Sequence, residues 1–293
     1  MPNKVIDGLH PKQLPVKLRN SHRLASDGLY PETLRPRHCP ASVKNGLFYK
    51  HDEPQVLEME ALRMQLAATI GERSGFFSVP KLMVLDLPAN TLAMEFMPGL
   101  KNLHEIVRNH EAGCEGIFAR AGRALAVVHQ ELRLPADKVI PLPDYLMSHT
   151  GENVALHGDF FWGNVCCRLQ EKEIVLIDWS GAPFLGRMCN YGSRYFDLVW
   201  FSWPFFVSMP PRLAFRWPAE RLVTALISGY ETVENSFRWE AYIQYRSAMR
   251  PVMWRFWKAK RRLHGSSPAV TCADLIGWLR WLSFPGRTLH RKK

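Results

Sequence analysis

The chain is 293 residues long, 47% hydrophobic and 22% charged, with a formal net charge of +11, which is enough apolar material for one large domain or two lobes with a full core. No stretch approaches the ~20 uninterrupted apolar residues of a membrane span, and Met1-Pro2-Asn3-Lys4 leads into polar sequence without an apolar signal core, so export is not expected. The six cysteines, including the adjacent Cys166-Cys167, form no C-x-x-C pair; a structural zinc is not expected, and reduced thiols in the cytoplasm are.

Residues 1–41 are rich in Pro, His, Lys and Arg and read as an irregular arm, with Asp27-Gly28 as a candidate hairpin turn. The Asn45-Gly46 turn precedes a strand over Leu47-Phe48-Tyr49-Lys50. After Pro54, Val56 to Ile70 reads as a helix, because Leu57, Ala61, Met64 and Ala68 fall on one face. Val79–Leu85 and Thr91–Met97 read as a hairpin whose second strand is broken by Pro98-Gly99. Phe118 to Glu131 is an amphipathic helix ending near His129, a packing or capping residue. Leu134 to Gly151 is a Pro-containing connection. Strands over Val165–Leu169 and Glu173–Ile177 flank a turn at Gln170-Glu171-Lys172. A Gly-containing loop then runs from Ser180 to Arg194, a helix opens at Leu198, and the chain is helical from Trp217 onward.

The stretch from Leu156 to Trp179, LHGDFFWGNVCCRLQEKEIVLIDW, carries the densest pattern. His157-Gly158-Asp159 is followed five residues later by Asn164, and Asp178 ends the apolar run Ile174-Val175-Leu176-Ile177. The hairpin between them returns Asp178 beside Asn164. Phosphoryl transfer needs such a set: an acceptor hydroxyl held in line, and cations that absorb charge. Asp159 would accept or orient the hydroxyl proton. The amide oxygen of Asn164 and the carboxylate of Asp178 are hard ligands of the kind magnesium takes beside phosphate oxygens and water. Gly158 permits a tight backbone there. His157 reads as a structural loop residue and Trp179 as packing.

An H-x-D-x-x-x-x-N loop with a later Asp is the form of the protein-kinase catalytic loop, here with Gly for Arg and Asp-Trp where Asp-Phe-Gly would stand. In that variant the chain resembles the aminoglycoside phosphotransferase and choline kinase branch of the protein-kinase-like fold, over roughly residues 42 to 200. The resemblance implies an α+β, two-lobed protein-kinase-like fold: after the arm, a small antiparallel-sheet N-lobe over 42–99 that positions the nucleotide, and a larger, mainly helical C-lobe over 100–293. It implies ATP and Mg2+ as the cofactors. It makes Lys50 the lysine that reaches the nucleotide phosphates, with Lys44 as a rival, and Glu60, or else Glu58, the partner that holds it. Glu95 to Met97 would be the hinge whose backbone meets the adenine. Asp197 would hold the catalytic loop through hydrogen bonds to its backbone, a role compatible with capping the helix from Leu198. No G-x-G-x-x-G is present, which leaves open how the phosphates are covered.

From Arg238 to the end there are thirteen Lys and Arg against Glu240 and Asp274, so this segment carries the whole net charge. It also holds Trp239, Trp254, Trp257, Trp278 and Trp281. Trp254 and Trp257 share one helix face, and Arg255, Lys258 and Arg262 another. One reading is core tryptophans with a solvated cationic face; the sharper one is contact with an anionic membrane surface at its inner, cytoplasmic side. No nucleic-acid-binding motif accompanies the charge. The expected acceptor is a hydroxyl on a small molecule, a glycan or a lipid-linked sugar. The basic C-terminus favours an anionic one over a cationic aminoglycoside, while the tryptophans keep a choline-like acceptor open and a protein acceptor is the weaker alternative. Arg187 and Arg194 could meet an anionic group. The alternative from another class is a kinase-like binding or membrane-docking module without catalysis.

Overall fold

The computed structural model describes residues 41–147, 153–207, 209–264 and 267–284. The expected arm up to residue 40, its Asp27-Gly28 turn, the end of the 134–151 connection, and Arg287, Arg291, Lys292 and Lys293 lie outside them.

Strand β1 (Ser42–Lys44) and β2 (Leu47–His51) form a hairpin. Its turn places Asn45 and Gly46 at φ 52° and 74°, the left-handed pair that a two-residue hairpin turn requires. Helix α1 (Pro54–Ser74) is longer than the apolar period suggested. Pro54 is tolerated in the first turn, and Gly75, at φ 69°, ends the helix by donating its N–H to the Gly71 carbonyl. β3 (Leu82–Asp86) and β4 (Thr91–Glu95) complete a four-stranded antiparallel sheet of order β1-β2-β4-β3, with a register shift between Leu82 and Val84. This sheet and α1 form the small lobe.

The larger lobe is mainly helical. β5 (Lys101–Asn102) joins α2 (Leu103–Arg108), where Asn102 and Glu105 form a reciprocal capping box. This short helix went unread in the sequence because six residues carry too little periodicity. α3 (Cys114–Glu131) packs on α5 (Ala219–Glu231) at very short range. A Cβ at Gly122 would strike the Leu226 carbonyl oxygen, and one at Gly229 the Ala119 carbonyl oxygen, so the two glycines let the helices touch backbone to backbone.

β6 (Asn153–Ala155) pairs with β9 (Tyr191–Ser193), while β7 (Val165–Arg168) and β8 (Glu173–Leu176) form the expected hairpin, one residue shorter on each strand. β5 adds to β7, making a three-stranded antiparallel sheet. Helix α4 (Tyr195–Val207) starts three residues before the expected Leu198, so Asp197 sits inside its first turn and is not its cap. Twelve of its thirteen residues are buried, as an all-round apolar helix must be.

Helices α6 (Trp239–His264) and α7 (Pro268–Ser283) close over α4. Their tryptophans face each other. Trp254 stacks on Trp257 at 4.7 Å and meets Trp278 at 5.4 Å, while Trp257 donates to Asp274 at 3.1 Å. Lys258 and Arg261 lie over the Trp254 and Trp257 rings. Arg255, Lys258 and Arg262 are exposed. No helix among the described residues is long and apolar enough to cross a membrane.

Candidate active site

A cleft of about 530 Å3 lies between the lobes, and Lys50, Glu60, Glu95, Met97, Asn164 and Asp178 all line it. Residues drawn from four separated stretches of sequence thus share one cavity.

Lys50 is buried in β2, and its ammonium bridges two carboxylates: Glu60 Oε2 at 2.7 Å and Asp178 Oδ1 at 2.8 Å. Glu60 is fully buried on α1. Of the two lysine candidates, Lys44 is exposed on β1, and of the two glutamates, Glu58 is exposed and pairs with Lys138 at 2.8 Å. Burial works against the Lys50 charge, but Asp178 and Glu60 outweigh it and hold the ammonium above the ordinary lysine range. Burial likewise opposes the charge on Asp178. Lys50, helped by the Ser180 hydroxyl at 2.7 Å, prevails and keeps that carboxyl well below the usual carboxylate range.

Asp159 lies just behind the cleft and is buried. Its Oδ1 accepts the Trp200 indole N–H at 2.8 Å, and its Oδ2 accepts the Asn164 amide at 3.0 Å. Burial, and next the charge on Asp178, push the Asp159 carboxyl up to about 8, against the pull of those two donors. The same Asn164 amide nitrogen also donates to the Asp159 carbonyl at 3.0 Å. That leaves the Asn164 amide oxygen as its free ligand atom.

Among the described residues no three His, Cys, Asp or Glu side chains gather to hold a metal by themselves. Asn164 oxygen with the Asp178 carboxylate is a two-donor oxygen set. Such a set fits magnesium, which binds through one or two protein oxygens together with substrate phosphates and water.

The supports of this site include one, Arg63, that was invisible in the sequence, beside Asp197 and Gly158, which the sequence had suggested. Arg63, fully buried on α1, donates to the Leu156 and His157 carbonyls at 2.6 Å each and to the Trp179 carbonyl, tying the small lobe to the segments that enter and leave the β7–β8 hairpin. Asp197 Oδ2 accepts the His157 N–H at 2.8 Å and Oδ1 the Gly158 N–H at 2.9 Å. His129 Nε2 approaches Asp197 at 3.0 Å, with Tyr230 at 2.8 Å from its Nδ1. His129 therefore braces Asp197 rather than merely packing. Gly158 has φ 77°, and a Cβ there would sit 3.1 Å from the Cys189 carbonyl oxygen. His157 is fully buried against Trp179, ring centroids 4.5 Å apart, and burial lowers its imidazole to about 4.

Arg194 is buried and bound to Glu234 at 2.9 Å and Ser236 at 2.8 Å, so it is built into the C-lobe. Arg187 lines the cleft and pairs with Asp52.

No family model matches the chain, and no curated protein matches it either. Solved structures do. One crystal form of a glucosamine kinase superposes with a TM-score of 0.51 at 15% identity, covering 80% of this chain and 73% of its own. Glucosamine kinase in complex with glucosamine, ADP and inorganic phosphate gives 0.50 at 13% identity, covering 80% and 76%. A choline kinase from Streptococcus pneumoniae gives 0.49 at 12%, covering 83% and 88%. At these identities the likeness is one of fold, and the fold is the two-lobed protein-kinase-like one.

Proposed function

We propose that the chain is an ATP- and magnesium-dependent phosphotransferase that moves the γ-phosphate to a hydroxyl of a small molecule or of a glycan- or lipid-linked sugar. The observation that carries this reading is the junction of Lys50 with Glu60 and Asp178 beside Asn164, which is itself bonded to Asp159. The lobe over 42–99 would position the nucleotide and the lobe over 100–293 the acceptor.

Lys50, oriented by Glu60, would meet the phosphates, and the backbone of Glu95 to Met97 the adenine. Magnesium held by Asn164 and Asp178 would neutralise charge on the transferring phosphoryl group. Asp159 would take the acceptor's hydroxyl proton; burial and the charge on Asp178 raise its proton affinity, which makes its ionised form a stronger base. Trp200 and Asn164 fix where its two oxygens point, which keeps the base in line without further movement.

The acceptor side leans anionic. Trp200 meets Phe256 of α6 at 5.4 Å, and the exposed Arg255, Lys258 and Arg262 lie on the same stretch of that helix. An acceptor with a phosphate or carboxylate would be attracted there. The cytoplasm, where ATP is supplied and free thiols stay reduced, is the proposed compartment, with the inner membrane face as the site of any lipid-linked acceptor.

The test is ADP release with magnesium over a panel of choline, glucosamine, sugar phosphates and lipid-linked sugars, for wild type and Asp159→Ala. Acceptor-dependent release by wild type alone is expected. Release that survives Asp159→Ala in full would refute the assignment of the base.

A further inference from the structure

Among the described residues, Lys50 and Arg187 are the two cationic side chains that line the nucleotide cleft, against Glu60, Glu95, Glu105 and Asp178. A nucleoside triphosphate brings several negative charges into that space. Lys50 is already engaged by two carboxylates.

Arg187 is held at the cleft by its own loop. Gly181 donates its N–H to the Arg187 carbonyl at 2.7 Å, and Arg187 donates back to the Ala182 carbonyl at 3.2 Å. A Cβ at Gly181 would lie 2.9 Å from the Arg187 carbonyl oxygen, so the loop closes only on glycine. Arg187 itself takes a left-handed backbone, φ 65°, which an arginine adopts only under constraint. Its guanidinium then reaches Asp52, whose side chain is 5% exposed and which follows Lys50 by two residues. Its charge also helps hold the Asp178 carboxyl low, which places it within electrostatic reach of that group.

We propose that Arg187 binds the terminal phosphates of the nucleotide, with Asp52 as the residue that positions it. The guanidinium is a planar fork that matches phosphate oxygens, and one edge of it can engage phosphate while the other stays on Asp52. Arg187 thereby supplies from the C-lobe a phosphate contact that no Gly-rich motif supplies from the sequence. The proposal rests on the phosphotransferase reading above.

The experiment is calorimetric titration of adenosine, AMP, ADP and ATP, with magnesium, into wild type and Arg187→Ala. The double variant Asp52→Asn/Arg187→Gln, which neutralises both partners without leaving a buried charge, guards against misfolding. Both variants should lose about tenfold or more in ATP affinity, the scale of a charged hydrogen bond. Adenosine should stay within about twofold. Equal losses for adenosine and ATP would make Arg187 a bridge between lobes, and unchanged ATP affinity would remove it from the site; either overturns the proposal. Wild type that binds no ATP would instead refute the phosphotransferase reading, on a measurement that involves neither variant.

Discussion

Asp197→Asn separates two roles that the sequence could not. As a helix N-cap, Asn serves as well as Asp, and the exchange would cost almost nothing. In the structure both oxygens of Asp197 are engaged: Oδ1 by the Gly158 N–H, Oδ2 by the His157 N–H and by His129. An amide has a single oxygen. Whichever way Asn is turned, its NH2 faces one of two buried backbone donors. One charge-assisted bond is lost and one N–H is left unsatisfied, together about 3 kcal/mol. For a chain of this size that corresponds to a fall in Tm of about 6 °C. Urea unfolding with an unchanged slope is the assay, with thermal melting beside it. A variant within about 0.5 kcal/mol of wild type would refute that cost, showing that holding the His157 and Gly158 N–H groups does not depend on the second carboxylate oxygen.

Arg63→Leu should be more severe: it strands three buried carbonyls at once and should lower stability by more than about 3 kcal/mol, read in the same urea experiment. Gly158→Ala combines a positive φ with a Cβ placed 3.1 Å from the Cys189 carbonyl oxygen, and should lower stability by at least about 1 kcal/mol while depressing turnover. Burial lowers the His157 pKa from 6.5 to about 4, so the unfolded chain takes up a proton that the folded one refuses. Stability should therefore be constant above the unfolded pKa and fall as pH drops from 6.5 to about 4, by up to about 3 kcal/mol. His157→Phe should flatten that limb in denaturation measured across the same range. Trp200→Phe removes the indole donor from Asp159 and should lower kcat about tenfold with the KM for ATP unchanged, measured by ADP release.

The sequence displayed the part of the site that is local. Asp159 and Asn164 lie in one tight loop, and the β7–β8 hairpin carries the chain back to Asp178, so spacing alone implied their meeting. The small-lobe strands and the Asn45-Gly46 turn were legible for the same reason, being set by turn residues next to them in sequence. Asp197 was legible as a support, but Arg63 and Trp200 were not. Arg63 reaches carbonyls more than ninety residues away, and Trp200 donates to a carboxylate forty-one residues before it. A lone Arg in a helix reads as solvated, and a Trp in an apolar helix reads as core, until the packing is known. For the tryptophans of α6 and α7 the sequence offered both a core and a surface reading, and only the packing shows that each is turned toward a neighbouring helix or ring.

Turnover is the direct test of phosphotransfer by this chain. γ-Labelled ATP with magnesium, incubated with a fractionated extract and either wild type or a folded Asp159→Ala variant, measures it directly. Label entering one small-molecule, glycan or lipid fraction with wild type alone is the expected result, and it would identify the acceptor class in the same step. No acceptor-dependent label with folded wild type, or equal label with both proteins, would contradict the account and favour a kinase-like fold that binds without catalysing.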